Sequence, residues 1–199
     1  MGNNGAHLLA ELGVSGALRQ GHFRLSSGLH SNRYVQCAKL LEDPVRAKRI
    51  GVELATRLES FDPVSVLSPA LGGLIIGHET AAALGVPFRF SERKDGVMTL
   101  RRGFELVRSE RVAVIEDVVT TGGSAREAAL VAREFGARIV AYGAIIDRSP
   151  GPDASARFDA PFVALLELEV LAWEPADCEL CAAGEPLTEP GSRPASTPS

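Results

Sequence analysis

Arg111-Val112-Ala113-Val114-Ile115, followed by Glu116-Asp117-Val118-Val119-Thr120-Thr121-Gly122-Gly123-Ser124, reads as a strand running into a turn that opens a helix. The first five residues are a short, largely β-branched apolar run, the composition of a strand covered on both faces. The following helix extends to Phe135 and ends at Gly136. Glycines let successive backbone N–H groups turn inward, making a concave anion nest at the positive end of a helix dipole. Thr120, Thr121 and Ser124 add three hydroxyl donors. Glu116 and Asp117 cannot serve a phosphate; they suit sugar hydroxyls, or a Mg2+ ion held through water. A ligand carrying both a phosphate and a diol, such as a ribose 5-phosphate, fits this combination. No G-x-x-x-x-G-K-[ST] occurs, so the turn is not a Walker P-loop.

The same strand, turn, helix order occurs upstream. Val64-Ser65-Val66-Leu67 leads into Ser68-Pro69-Ala70-Leu71-Gly72-Gly73 and a helix through Ala83 that stops at Gly85. A further strand spans residues 139–146 and ends in Asp147-Arg148. Apolar strands alternating with helices predict an α/β fold with a mostly parallel sheet flanked by helices. In such sheets ligands collect beyond the carboxyl ends of the strands, here the loops beginning at Ser68, Glu116 and Asp147. Nearer the N-terminus, residues 5–19 predict a helix, and two short strands follow at residues 23–26 and 33–37. Asp43-Pro44 starts a helix of about four turns, with Asp as the cap and Pro at the first helical position.

The chain has 199 residues and a formal net charge of −4, which predicts one domain and disfavours general nucleic-acid binding. Apolar residues at 45% and charged residues at 23% exclude a wholly disordered or fibrous chain. No apolar run approaches the ~20 residues that span a bilayer. The first residues show no basic region before an apolar stretch, so the expected compartment is the cytoplasm. Residues 184–199 hold four prolines with several serines and glycines, and read as a flexible tail after a domain of residues 1–183. Residues 89–111 contain seven basic and four acidic side chains, a local excess of positive charge suited to an anionic leaving group. Asp95-Gly96 marks a turn between two strand-like runs there, and such a hairpin could close as a lid.

Residues 114–125, VIEDVVTTGGSA, resemble the 5-phosphoribosyl 1-diphosphate (PRPP) motif of type I phosphoribosyltransferases. Gly21-His22-Phe23-Arg24-Leu25-Ser26-Ser27-Gly28-Leu29-His30-Ser31 with Arg33-Tyr34-Val35 resembles the N-terminal region of the orotate phosphoribosyltransferases. Met98-Thr99-Leu100-Arg101-Arg102-Gly103-Phe104 and the ending Cys178-x-x-Cys181…Pro190-Gly191-Ser192-Arg193 resemble one bacterial and archaeal branch of that family. The similarity covers about residues 5 to 193.

The resemblance implies a type I phosphoribosyltransferase fold: a core at about residues 43–150 and a small hood from about residues 5–40 and 151–183. It implies transfer of a 5-phosphoribosyl group from PRPP to orotate, giving orotidine 5′-monophosphate and pyrophosphate in pyrimidine biosynthesis. Glu116 and Asp117 would then meet the ribose hydroxyls, and Val118, Val119, Thr120, Thr121, Gly122, Gly123 and Ser124 would complete the PRPP site. Ala70, Leu71 and Gly72 match the pyrophosphate loop; Thr120, Arg148, Tyr34 and Val35 match positions that meet orotate. Arg148 suits a planar carboxylate-bearing ring, because guanidinium pairs with carboxylate bidentately. Arg93 and Lys94 match the leading basic pair of a mobile catalytic loop that, in the family, closes over a neighbouring subunit's site. The implied cofactor is Mg2+, held mainly through PRPP and water with Asp117 as the candidate protein contact, and the implied assembly is a homodimer.

The chain departs from the better-known branch at three places. Ser26 and Gly72 stand where that branch has lysines, and the long Lys/His-rich loop is shortened, with Arg101 and Arg102 as substitutes and Arg101 the catalytic candidate. Cys178-x-x-Cys181 supplies two zinc-type ligands where structural zinc usually takes four. Cys37 and the four scattered histidines complete no obvious set, so the pair is read as a plain C-terminal turn. His30 and His78 are read as packing or loop residues. Two other functions compete: a phosphoribosyltransferase for another base, and a non-catalytic PRPP sensor that binds RNA. The acidic total argues against the second.

Overall fold

The computed structural model describes residues 3–25, 27–149 and 155–190. Ser26 and the stretch 191–199 lie outside the described residues. In chain order the elements are α1 (Asn3–Val14), β1 (Leu18–Arg24), β2 (His30–Val35), α2 (Cys37–Leu41), α3 (Pro44–Leu58), β3 (Ser65–Pro69), α4 (Gly73–Leu84), β4 (Phe88–Lys94) and β5 (Val97–Leu100). They continue with β6 (Arg111–Val119), α5 (Gly123–Glu134), β7 (Arg138–Asp147), β8 (Phe162–Glu167), β9 (Ala172–Trp173), α6 (Glu179–Ala182) and β10 (Leu187–Thr188).

Six strands form the main sheet in the order β5-β4-β3-β6-β7-β8, all parallel to their neighbours except β5, which pairs antiparallel with β4. The strand order reverses between β3 and β6, because β3 is followed by β4 on one side and β6 lies on the other. A crevice opens at such a reversal beyond the strands' carboxyl ends, and this is where ligands bind. Alternate residues of β6 point to opposite faces: Val112 and Val114 pack with α5, whereas Ala113 and Ile115 pack with α1 and α3. Ala128, Ala129 and Ala132 keep α5 close to its face of the sheet. Leu8, Leu12, Ile50, Leu54 and Leu58, all essentially inaccessible, fill the other. The Asp43 side chain accepts hydrogen bonds from the N–H groups of Val45 and Arg46, as expected of the cap on α3, a contact type worth about 1 kcal/mol. Among the described residues no helix is long and apolar enough to cross a membrane.

The structure corrects several boundaries. The helix expected over residues 5–19 stops at Val14, because Gly16 takes a positive φ of 68° and turns the chain into β1. The two N-terminal strands begin earlier, at Leu18 and His30, and a register shift between Gln20 and Phe23 blurs the alternation that would have located the first. β6 continues past Ile115 to Val119, since β7 pairs with it along that length, so the acidic pair lies within the strand. β8 was unassigned; it closes the edge of the main sheet beside β7, so the C-terminal part of the hood starts after Glu167 and not at residue 151. The hood is a second sheet in the order β10-β1-β2-β9. Residues 184–190 are not tail: β10 pairs parallel with β1, and Glu189 bridges Arg24 at 2.9 Å.

Candidate active site

The loop after β6 and the first turn of α5 form a cavity of about 330 Å3 lined by Glu116, Val118, Val119, Thr120, Thr121, Gly122, Gly123, Ser124 and Ala125, with Arg93 and Glu127 on its wall. Gly122 at the start of α5 offers no side-chain cap, and apart from a long 3.4 Å contact from the Gly123 N–H to Thr121 Oγ1 the N–H groups of the first turn are open to an anion. Gly122 makes the turn possible. Its φ is 72°, and a Cβ there would stand 2.8 Å from the Phe158 ring. The rim is pinned from behind, where the Thr120 carbonyl accepts from Ser149 Oγ at 3.0 Å and from the Arg157 guanidinium at 2.9 Å.

Glu116 is buried, and its carboxyl is pushed well above the usual range, first by desolvation and then by the neighbouring Asp117 charge. Asp117 shifts upward as well, chiefly through desolvation. Its Oδ1 accepts the Val118 N–H at 2.8 Å, and its carboxylate faces Gly72 in place of the cavity wall. No cation contributes to either carboxyl. The pair is therefore a buried acidic site without a counter-charge among the described residues, suited to hydroxyl donors and to a divalent cation.

The loop at residues 69–73 leaves β3 beside this pair, carries a cis peptide between Ala70 and Leu71, and leaves Leu71 82% exposed. Gly72 approaches Asp117 so closely that a Cβ would lie 2.7 Å from Oδ1. On the far side of the acidic pair, Arg148 at the end of β7 senses Tyr34 and Cys37 as its charge neighbours. Its Nε is buried without a hydrogen-bond partner, and desolvation lowers its pKa. A buried guanidinium nitrogen without a partner is costly, and an anionic ligand relieves it. Tyr34 and Val35 end β2, and Tyr34 packs 5.9 Å from the Phe23 ring, centroid to centroid. Cys37 begins α2 between these groups; burial, and then the Asp117 charge, push its thiol well above the ordinary range. Its place at the junction of the acidic pair and Arg148 had no signal in the sequence.

No family model matches the chain. The orotate phosphoribosyltransferase of Thermotoga maritima is 49% identical over 179 residues, covering 90% of this chain and 94% of that one. That of Heliobacterium modesticaldum is 49% identical over 181 residues, covering 90% and 93%. The chain belongs to the orotate phosphoribosyltransferase family. Of the solved structures, the orotate phosphoribosyltransferase from Aeropyrum pernix superposes with a TM-score of 0.64 at 28% identity, covering 81% of this chain and 93% of that one. The Mycobacterium tuberculosis orotate phosphoribosyltransferase in complex with inorganic phosphate shares the fold, with a TM-score of 0.64 at 22% identity over 84% of this chain and 97% of that one.

Against the orotate phosphoribosyltransferase motifs, the structure gathers the cup, the acidic pair and the loop at Gly72 around one crevice, and brings Arg148 beside Tyr34. The basic segment behaves less uniformly. β4 and β5 form the expected hairpin through Asp95 and Gly96, both at positive φ. Arg93 reaches the cavity wall, where it pairs with Glu127 at 2.7 Å. Lys94 and Arg101 do not line the cavity; Lys94 is exposed, and Arg101 pairs with Glu92 at 3.4 Å, as Arg102 does at 3.1 Å. The expectation that the whole cluster serves a leaving group is corrected for two members. Arg89 is committed to buried Glu110 at 2.7 Å, and Arg111 to Asp62 at 2.6 Å.

Proposed function

We propose that the chain catalyses Mg2+-dependent transfer of the 5-phosphoribosyl group of PRPP to orotate, releasing pyrophosphate and forming orotidine 5′-monophosphate. The observation that carries this reading is that an uncapped helix N-terminus, a buried acidic pair without a counter-charge among the described residues and the unpartnered Nε of Arg148 all stand at the carboxyl ends of β6 and β7. Phosphate, diol and carboxylate receptors are the three that a phosphorylated pentose and an acidic base require. The names of the relatives agree.

The first turn of α5 and the hydroxyls of Thr120, Thr121 and Ser124 hold the 5-phosphate. Glu116 and Asp117 accept hydrogen bonds from the ribose hydroxyls, and the amides of Leu71 and Gly72 face the pyrophosphate, the Ala70 N–H being committed to the Ser91 carbonyl at 2.7 Å. Arg148 takes the orotate carboxylate, with Tyr34 and Val35 closing the base site. These contacts fix the anomeric carbon between its leaving oxygen and the incoming ring nitrogen, so one C–O bond breaks and one C–N bond forms with inversion. Bond breaking leads, and the ribose passes through an oxocarbenium-like state. Orotate reacts as an anion, so the chain's task is positioning and stabilising charge that moves onto pyrophosphate. Mg2+ fits the acidic pair, and when bound it neutralises phosphate charge; Asp117 is the residue to hold it, directly or through water.

The assembly follows from the same reading. Lys94 ends β4 and Arg101 follows β5, both exposed on the hairpin, a placement that suits a homodimer in which the hairpin closes over the partner's site. The test is optical: orotate absorbance should fall only when PRPP and Mg2+ are both present, with pyrophosphate released in equal amount. Adenine, hypoxanthine or uracil supporting pyrophosphate release in place of orotate would overturn the assignment of the base.

A further inference from the structure

The turn at residues 178–181 is not isolated. The Cys178 and Cys181 sulfurs and one ring nitrogen each of His22 and His30 converge so that all four atoms lie within 4.8 Å of one another. His22 Nε2 stands 3.0 Å from His30 Nδ1, 3.4 Å from Cys178 Sγ and 3.7 Å from Cys181 Sγ; His30 Nδ1 stands 3.2 Å from Cys181 Sγ. Zinc bonds of about 2.0–2.1 Å to nitrogen and 2.3 Å to sulfur, set tetrahedrally, put the ligand atoms roughly 3.3–3.8 Å apart. These four spacings need adjustments of only a few tenths of an ångström to match, and the widest in the set, within 4.8 Å, needs to close by about 1 Å at most.

Two further features point the same way. The other nitrogen of His22, Nδ1, lies 2.9 Å from the Glu185 carbonyl, and donating there leaves the Nε2 lone pair facing the two sulfurs. Zinc-binding histidines are usually oriented by just such a backbone partner. Second, the segment after the main sheet has almost no core. Between residues 169 and 190, Cys178 is the one buried side chain, and the pairing of this stretch amounts to the two-residue strands β9 and β10. Those strands lie on opposite edges of the hood sheet, so the chain crosses the β1–β2 hairpin between them, and the four groups meet at that crossing. A stretch too thin to bury apolar surface commonly relies on a metal or disulfide.

We propose that His22, His30, Cys178 and Cys181 bind one structural Zn2+ that fastens the C-terminal segment to the hood hairpin. Two sulfurs and two imidazole nitrogens in a tetrahedral, closed set select zinc over the hard divalent cations. The site is separate from the Mg2+ candidate at Glu116 and Asp117, and carries no step of the transfer. The sequence hid it because the histidines come from two strands whose register shifts between Gln20 and Phe23; the shift buries His22 and Phe23 in succession.

The test is the metal content of the untagged full chain, purified under reducing conditions without chelator. One zinc per chain is expected. It should be lost in Cys181→Ser, a change at an exposed position that the fold tolerates, and in His30→Ala. Co2+ substitution should give the visible bands of a tetrahedral ion with thiolate charge transfer, absent from both variants. Wild-type protein without stoichiometric zinc in zinc-supplemented medium overturns the proposal. So does full zinc retention in both variants, or a Cys178–Cys181 disulfide in the reduced preparation. None of these readings depends on orotate turnover, so the site stands or falls apart from the proposed reaction.

Discussion

Gly72 and Asp117 occupy one space: a Cβ on Gly72 would lie 2.7 Å from Asp117 Oδ1 and 2.9 Å from its carboxyl carbon. The contact joins the loop after β3 to the acidic pair of β6 across the reversal in strand order. A side chain at this position, a lysine in the better-known branch, would therefore have to move the Asp117 carboxylate.

Gly72→Ala must therefore displace the Asp117 carboxylate or the loop itself. A displacement of about 1 Å in a reacting site can lower the rate by ~10²-fold. We expect kcat/KM for PRPP to fall by that order while the orotate KM moves little. Steady-state kinetics with each substrate varied in turn checks this, and unchanged PRPP kinetics would remove Gly72 from the site.

Arg148→Ala deletes the half-buried guanidinium that has Cys37 and Tyr34 as charge neighbours. Hydrogen bonds to charged groups contribute about 1.5–3 kcal/mol, so the orotate KM should rise ~10–100-fold with the PRPP KM nearly constant. Arg148→Lys should recover little, because an ammonium cannot pair bidentately. Equal increases in both KM values would contradict a role in base recognition.

Glu116 has a carboxyl pKa raised by burial and by Asp117, so the folded chain holds its proton more tightly than the unfolded chain does. That contribution is fully present below the ordinary carboxylate pKa of about 4.3 and is lost as pH rises through the raised value. Without substrate, Glu116→Gln should melt above wild type at pH 8, with the gap narrowing toward pH 5. Thermal melts across this range decide it; a gap that widens on acidification is the wrong sign. The variant should also bind PRPP more weakly, having lost an acceptor for the sugar.

Lys94→Ala and Arg101→Ala should lower kcat by ~10²–10³, the usual effect of removing a preorganised charge-stabilising donor. With the hairpin closing over the partner's site, mixing Lys94→Ala with Asp117→Asn should restore activity in hybrid dimers. Mixtures as inactive as their parents would show that the hairpin works within one chain.

Local chemistry made the central crevice legible. The run of apolar residues ending at Ile115, the acidic pair and the glycine turn specify strand, receptor and helix start within fifteen residues, and the structure places them in that order. The hairpin at Asp95-Gly96 and the cap at Asp43 were readable for the same reason, since each depends on backbone geometry a few residues long. β8 was missed because an edge strand with one neighbour carries a weak burial pattern: three of its six residues are only half-buried. Arg89 and Arg111 looked equivalent to Arg93 in sequence. Their partners, Glu110 and Asp62, are 21 and 49 residues away, so only the fold separates scaffold pairs from site residues.

The order of residues along the chain was enough to determine an anion cup with an acidic border on a parallel sheet, because those features arise from contiguous backbone and side chains. Tertiary structure alone decided which basic groups remain available, that the Nε of Arg148 is buried without a hydrogen-bond partner near Tyr34, and that two histidines of the hood meet two C-terminal cysteines. Each of these is a contact between segments whose approach depends on how the sheets and helices pack, and packing is a property of the whole chain.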